Sequence, residues 1–251
     1  MSALAGKTAV VTGSSRGVGA ATAKLLAAEG ANVVINYRQK APRANKVVAE
    51  IEAEGGRAVA VGADLTTQEG LQALMGAAVD TFGGLDLLVL NASGGMETDL
   101  GEDYAMRLNR DAQVAALEAG LEHLPSGGRV VFVTSHQAHF IDEVETMPEY
   151  EQVARSKRAG ETALTERLPE MSDKGVSFVV VSGDMIEGTV TATLLNRARP
   201  GALEQRREAA GKLYSVEEFA AEVARMATAD VETGHIELVG GAEDFLARTR
   251  G

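Results

Sequence analysis

The sequence predicts an α/β fold: a doubly wound parallel sheet of about seven strands, helices on both faces, in a single domain spanning 1–251. Three observations carry this expectation. Strand-like and helix-like patterns alternate along the whole chain of 251 residues. Residues 85–90, LDLLVL, form a near-continuous apolar run of the kind a central strand covered on both faces requires. Residues 8–29 pass from a β-branched run through Gly13, Ser14 and Ser15 into an Ala-rich amphipathic helix carrying Val18, Ala21, Leu25 and Leu26.

The elements follow in order. After the first strand, 8–12, and its helix come a second strand at 32–36 (NVVIN) and a helix over 43–54 stopped by Gly55-Gly56. A third strand covers 57–61, and a helix over 67–82 ends at Gly83-Gly84. Beyond the fourth strand, 85–90, a long helix is expected over 102–124, ended by Pro125 and Gly127-Gly128. The fifth strand covers 129–134, a helix 149–171 and the sixth strand 176–181. Residues 182–214 are less regular, broken at Gly188, Pro200-Gly201 and Gly211. A helix at 215–227 opens with Ser215 and Glu218 in capping-box spacing, and 235–239 is the last strand.

Bulk properties narrow the function classes. A formal charge of −12 repels nucleic acid and anionic membranes, so neither is expected as a partner. No apolar run approaches the roughly 18 residues that a membrane span needs, and the apolar residues near the N-terminus belong to the first strand rather than to a signal peptide. With no cysteine there is no thiolate metal site and no disulfide. A cytoplasmic protein is expected, and no metal site.

The strand, glycine turn and helix at the N-terminus make a phosphate-binding crossover. Glycines let the backbone approach a pyrophosphate, and the first helical N–H groups offer donors and a positive dipole. The spacing is Gly13-x-x-x-Gly17-x-Gly19. With Thr12 it reads T-G-x-x-x-G-x-G, which resembles the short-chain dehydrogenase/reductase family and implies a Rossmann-like domain. Ser15, Arg16 and Val18 fall inside the same turn. At the end of the second strand stand Asn36, Tyr37 and Arg38 with no carboxylate, and Arg16 carries a second guanidinium. Two arginines without an acid favour the 2′-phosphate of NADP(H) over the free ribose of NAD.

Further matches extend the resemblance over about residues 5–241. Asp64-Leu65 falls where the family pairs an acid with the adenine amine. Asn91-Ala92-Ser93-Gly94 is similar to the family's N-N-A-G segment with its last positions shifted. After the sixth strand, Ser182-Gly183 replaces Pro-Gly, and Ile186 and Thr189 follow with altered spacing. All of these are expected to touch the cofactor.

For catalysis the resemblance implies Ser135 as the orienting hydroxyl, Lys157 as the residue that makes a nearby phenol useful at neutral pH, and Asn109 as the relay residue. A phenol starts near pKa 10, which is why an ammonium beside it matters. The tyrosine departs from the family's Tyr-x-x-x-Lys pattern: Val153 occupies the usual position, and the nearest tyrosine is Tyr150. Four helical residues rise about 6 Å and seven about 10 Å. A helix starting at Met147 behind a Thr146–Glu149 capping box would hold Tyr150 away from Lys157. A helix starting nearer Gln152 would leave Tyr150 in the entering loop, free to fold its hydroxyl into place. Tyr150 is the favoured acid, with a water, His136 or His139 as the other proton sources, and packing as its plain alternative.

Residues 184–214 correspond to the family's substrate lid. Met185, Ile186, Leu194 and Leu195 suit an apolar, polycyclic ketone. The resulting expectation is an NADPH-dependent ketoreductase of polyketide-type substrates, similar to the angucycline ketoreductase subgroup. The rival readings are a reductase of 3-oxoacyl thioesters or other small ketones, and a silent NADP(H)-binding sensor. The resemblance also implies a homo-oligomer, dimer or tetramer, joined through the long fourth and fifth helices.

Overall fold

The computed structural model describes residues 3–96, 100–101 and 103–249. Its chain order is β1 (Thr8–Val11), α1 (Gly17–Ala28), β2 (Asn32–Tyr37), α2 (Ala41–Ala53), β3 (Arg57–Gly62), α3 (Gln68–Phe82) and β4 (Leu87–Leu90). Next come α4 (Tyr104–Met106), a π-helical turn (Arg107–Asp111), α5 (Ala112–Leu121), β5 (Arg129–Ser135) and α6 (His136–His139). α7 (Glu151–Thr165), α8 (Leu168–Asp173), β6 (Ser177–Gly183), α9 (Val190–Ala198), α10 (Ala202–Ala210), α11 (Val216–Met226), β7 (His235–Val239) and α12 (Ala242–Thr249) complete it.

The strands form one parallel sheet in the order β3-β2-β1-β4-β5-β6-β7. Every residue of β1 and β4 is buried, as expected of parallel strands sandwiched between helices. Alternate side chains feed two cores. One gathers Val11, Leu26, Val33 and Val223 beneath α1 and α11, and the other gathers Val10, Leu74, Leu117 and Phe178 beneath α3 and α5. Strand order reverses between β1 and β4, and a ligand crevice opens where the carboxyl ends of such strands diverge.

Several boundaries differ from the sequence expectation. The long fourth helix begins among the described residues at Tyr104, while its expected start, Glu102, lies outside them. It passes through the π-helical turn that holds Asn109. The helix expected over 149–171 is two, because the chain breaks at Glu166 and Arg167 and Pro169 sits in the first turn of α8. The irregular stretch 182–214 contains two nine-residue helices, α9 and α10. The terminal helix α12 was not anticipated; its Phe245 is buried against Phe140. Ser215 and Glu218 do form the reciprocal capping box.

Candidate active site

The turn after β1 is built from polar side chains that serve the backbone. Thr12, fully buried, donates to the Val89 carbonyl and accepts from the N–H groups of Asn91 and Ala92. The Ser14 hydroxyl donates to the Val11 carbonyl at 2.6 Å and accepts from the Asn36 N–H at 2.9 Å. Asn36 Oδ1 accepts from the Gly13 N–H, and its amide nitrogen donates to the Ala63 carbonyl. β1, β2, β3 and β4 are thereby tied together at their carboxyl ends. Asn36 was seen in the sequence only as an absent acid; its role as a strand tie had no signal in composition.

Gly13 and Gly17 hold left-handed φ values of 63° and 56°. A side chain at Gly19 would place its Cβ 2.5 Å from Asn91 Nδ2 and 2.8 Å from the Gly13 carbonyl oxygen. Asn91 itself donates to the Thr12 carbonyl. α1 begins after Arg16 with no side-chain cap, so its first N–H groups face the cleft uncapped.

That cleft, of about 530 Å³, runs from Gly13, Ser15, Arg16, Gly17, Val18 and Gly19 to Tyr37 and Arg38, then to Asp64, Leu65, Asn91, Ala92 and Ser93. Thr189 closes it from the far side. Lys40 and Arg43 join Arg16 and Arg38 on its wall, making four cations where the sequence reading had weighed two. Both lie within five residues after Arg38, so the cluster of cations along 38–43 is the signal in the sequence. Arg38 donates to the Tyr104 hydroxyl and lies over the Tyr104 ring, 5.4 Å from its centre. Burial alone would raise the Asp64 carboxyl, but hydrogen bonds from the Thr66 N–H and hydroxyl, with the charges of Arg38 and Arg107, hold it below the usual range.

A second cavity, of about 140 Å³, shares Val18, Asn91, Ser93 and Thr189 with this cleft and is lined by Ser135, Tyr150 and Lys157. Ser135 ends β5, and its Oγ lies 3.5 Å from the Tyr150 hydroxyl. Tyr150 is 5% exposed and occupies the N-cap position of α7. The capping box weighed for a start at Met147 does not form. Thr146 instead donates its hydroxyl to Gln137 Oε1 at 2.7 Å, and regular helix starts at Glu151. Val153, on the helix face where a tyrosine was expected, packs into an apolar cluster with Ala138, Ile141 and Met185. Lys157 is buried yet has no hydrogen bond or ion pair among the described residues. It lies on the cavity wall, open to a polar group there.

Three expected residues stand behind the cavity rather than in it. Gly94 exchanges backbone hydrogen bonds with the Asn109 amide, whose nitrogen also donates to Ser156. The Asn109 side chain thus clamps the 91–94 segment to α7 and reaches neither Tyr150 nor Lys157 directly. Gly183 lies against the Phe219 ring, 2.4 Å from where a Cβ would sit, so its smallness serves packing. Ile186 does line the catalytic cavity, with Met185 and Leu195.

Neither histidine near Ser135 faces the cavity. Both lie on α6. His136 is fully buried, bonded to the Ser182 hydroxyl at 2.8 Å and to the Gly240 carbonyl at 2.6 Å. Burial lowers its pKa, against the opposing pull of the Gly240 carbonyl and Asp184. His139 bonds through Nδ1 to Glu161 at 2.6 Å. Among the described residues no cluster of three or more His, Asp or Glu side chains is arranged to hold a metal ion, and no helix is long and apolar enough to cross a membrane.

Residues 7–199 match the family model described as short chain dehydrogenase. A curated relative, versicolorin reductase 1 of Dothistroma septosporum, is 33% identical over 204 residues, covering 79% of this chain and 76% of that protein. The structure of a short chain dehydrogenase from Burkholderia cenocepacia in complex with NADP superposes with a TM-score of 0.80 at 30% identity, covering 95% of this chain and 98% of the other. The angucycline C-6 ketoreductase LanV with bound NADP superposes at 0.78 with 27% identity, covering 94% of each chain.

Proposed function

Because this chain belongs to the short-chain dehydrogenase/reductase family, we propose that it is an NADPH-dependent ketoreductase acting on an apolar, polycyclic ketone of polyketide type. The observation that carries the reading is the 3.5 Å approach of Ser135 Oγ and the Tyr150 hydroxyl in a cavity that also holds the unpaired Lys157.

The residues fit the cofactor. A Cβ at Gly13 or Gly19 would collide with Ala92 or Asn91, so only glycine lets this turn close tightly beside the cleft, and the uncapped start of α1 supplies donors for a pyrophosphate. Arg16, Arg38, Lys40 and Arg43 suit the 2′-phosphate, and Asp64 suits the adenine amine. NADPH, when bound, supplies the hydride. Ser135 and Tyr150 hold the substrate carbonyl oxygen between their hydroxyls, so the polarising donors are in place before charge develops. Tyr150 delivers its proton to the alkoxide oxygen, and the Lys157 ammonium faces the phenolate left behind. The Asn109 side chain contributes by fixing Gly94 and Ser156, as a clamp at the back of the cavity. Met185, Ile186 and Leu195 exclude water from the carbonyl and meet an apolar ring system. We read α9 and α10, within 184–214, as the lid over that substrate.

The same proposal includes a cytoplasmic homo-oligomer associating through α5 and α7. Its support is the sequence of α5, AQVAALEAGL, which carries more Ala and Leu than a purely solvated face requires. Size-exclusion chromatography with light scattering checks it, and a monomer would refute it.

The test of activity is NADPH oxidation by the wild type and Tyr150→Phe against polycyclic quinone-ketones, decalones and β-keto thioesters. The expected result is turnover of the polycyclic ketones that falls at least about a hundredfold in Tyr150→Phe while NADPH still binds. Turnover that survives the substitution removes Tyr150 as the acid. Tight NADPH binding with no turnover of any carbonyl replaces the enzyme with a sensor.

A further inference from the structure

Gln137 also lines the catalytic cavity, two residues beyond Ser135 on α6. Its side chain is not free to turn. The Thr146 hydroxyl donates to Oε1 at 2.7 Å, which leaves the amide nitrogen as the other end. The other end then carries two N–H donors, which have no hydrogen-bond partner among the described residues. Of the other polar side chains on this wall, Asn91 donates to the Thr12 carbonyl, the Asp184 carboxylate accepts from Arg206, and Lys157 is assigned to the phenolate. Ser135 and Tyr150 face each other across the position of the reacting oxygen. The amide therefore stands ready for an acceptor other than the carbonyl being reduced.

We propose that Gln137, oriented by Thr146, is a specificity-determining residue that donates a hydrogen bond to a second oxygen of the substrate, so that the preferred ketones carry a carbonyl or hydroxyl near the one reduced. This rests on the ketoreductase reading above and narrows its substrate class to dioxygenated rings, such as 1,3-diketones and hydroxyl-bearing quinones. A site built to donate to such an oxygen discriminates against the analogue that lacks it, because the amide is then desolvated without a partner. Thr146 is a positioning residue: its hydroxyl holds the amide oxygen and need not touch substrate.

The test measures kcat/KM with NADPH for two matched ring ketones, one with and one without the second oxygen, for the wild type, Gln137→Met, Gln137→Glu and Thr146→Val. The wild type is expected to favour the dioxygenated ketone. Gln137→Met keeps the side-chain length without its donors, so it is expected to lower kcat/KM for that ketone about tenfold to a hundredfold and to leave the mono-ketone within about threefold. Gln137→Glu, which accepts where the amide donates, is expected to be worse on the dioxygenated ketone only. Thr146→Val is expected to raise KM for that ketone with little change in kcat, since it loosens the amide without removing it. Equilibrium binding of both ketones to the NADP⁺ complex is measured alongside, and the same ratio is expected there.

Equal losses on both ketones mean that Gln137 only shapes the cavity, and an unchanged ratio in Gln137→Met removes it from recognition. Either result overturns the inference while leaving the reductase intact. If the wild type oxidises NADPH with neither ketone and binds neither, the reductase reading fails and this inference with it.

Discussion

The most informative residue is Tyr150. Its position in the sequence leaves contact with Lys157 open: seven helical residues would separate the two by a rise of about 10 Å, whereas an entering loop could fold the hydroxyl into place. The structure starts the helix late: Tyr150 is an N-cap residue, and Thr146 is drawn off to Gln137 rather than capping a longer helix. Arg38 invites a second residue-scale test. Its guanidinium lies over Tyr104 on the wall of the cleft, with Arg16, Lys40 and Arg43 as neighbours. Arg38→Asp should raise KM for NADPH by about tenfold to a hundredfold, the weight of a charge-assisted hydrogen bond, and leave NADH less affected. Initial-rate kinetics with the two cofactors measure this. An unchanged ratio would assign the phosphate to the remaining cations.

At the scale of elements, the site depends on how closely α7 approaches the π-helical turn. Gly160 makes that approach possible: a Cβ there would stand 2.0 Å from the Asn109 carbonyl oxygen, a backbone atom that cannot swing aside. Gly160→Ala should therefore cost about 1–3 kcal/mol, as overpacking does, and reduce kcat through a displaced Lys157. Thermal unfolding together with kcat for a ketone checks both parts, and an unaltered Tm would show that the turn yields. Strand and helix identities were legible in the sequence because each follows from a local period, 2 or 3.6 residues, or from a glycine stop. The phosphate turn was legible for the same reason. The π-helical turn, the break before Pro169 and the placement of Gly94 and Gly183 were not. They are settled by contacts between residues far apart in sequence, such as Asn109 with Ser156 and Gly183 with Phe219.

For the whole molecule, His136 joins parts distant along the chain. It binds Ser182 at the end of β6 and Gly240 beyond β7, and its ring stands 5.5 Å from that of Phe245 in α12. Burial keeps its folded pKa below the ordinary 6.5. Above pH 6.5 the imidazole is neutral in both folded and unfolded chains, and its contribution is complete. As pH falls through 6.5, the unfolded chain takes up a proton that the folded one refuses, so stability declines until the lower folded pKa is passed. Tm should fall as pH drops below about 6.5, and the slope should flatten in His136→Gln. An equal slope in the variant would assign the acid sensitivity elsewhere. Cofactor binding acts on the same scale: NADP⁺ at a hundred times its Kd should add about 2.7 kcal/mol of stability, visible as a rise in Tm.

The N-cap position of Tyr150 gives this enzyme a freedom that a helix-face tyrosine lacks. On one helix face, phenol and ammonium are welded at a fixed interval, and neither moves without the other. Here the Tyr150 carbonyl accepts from the Ala154 N–H in the first turn of α7, while its N–H donates to the Met147 carbonyl and anchors the incoming segment. A residue added or removed between Phe140 and Met147 would alter the path into the helix and leave the interval from Tyr150 to Lys157 as it is. The freedom lies in the ring alone, which stands at the open end of the helix and can turn without carrying the lysine with it.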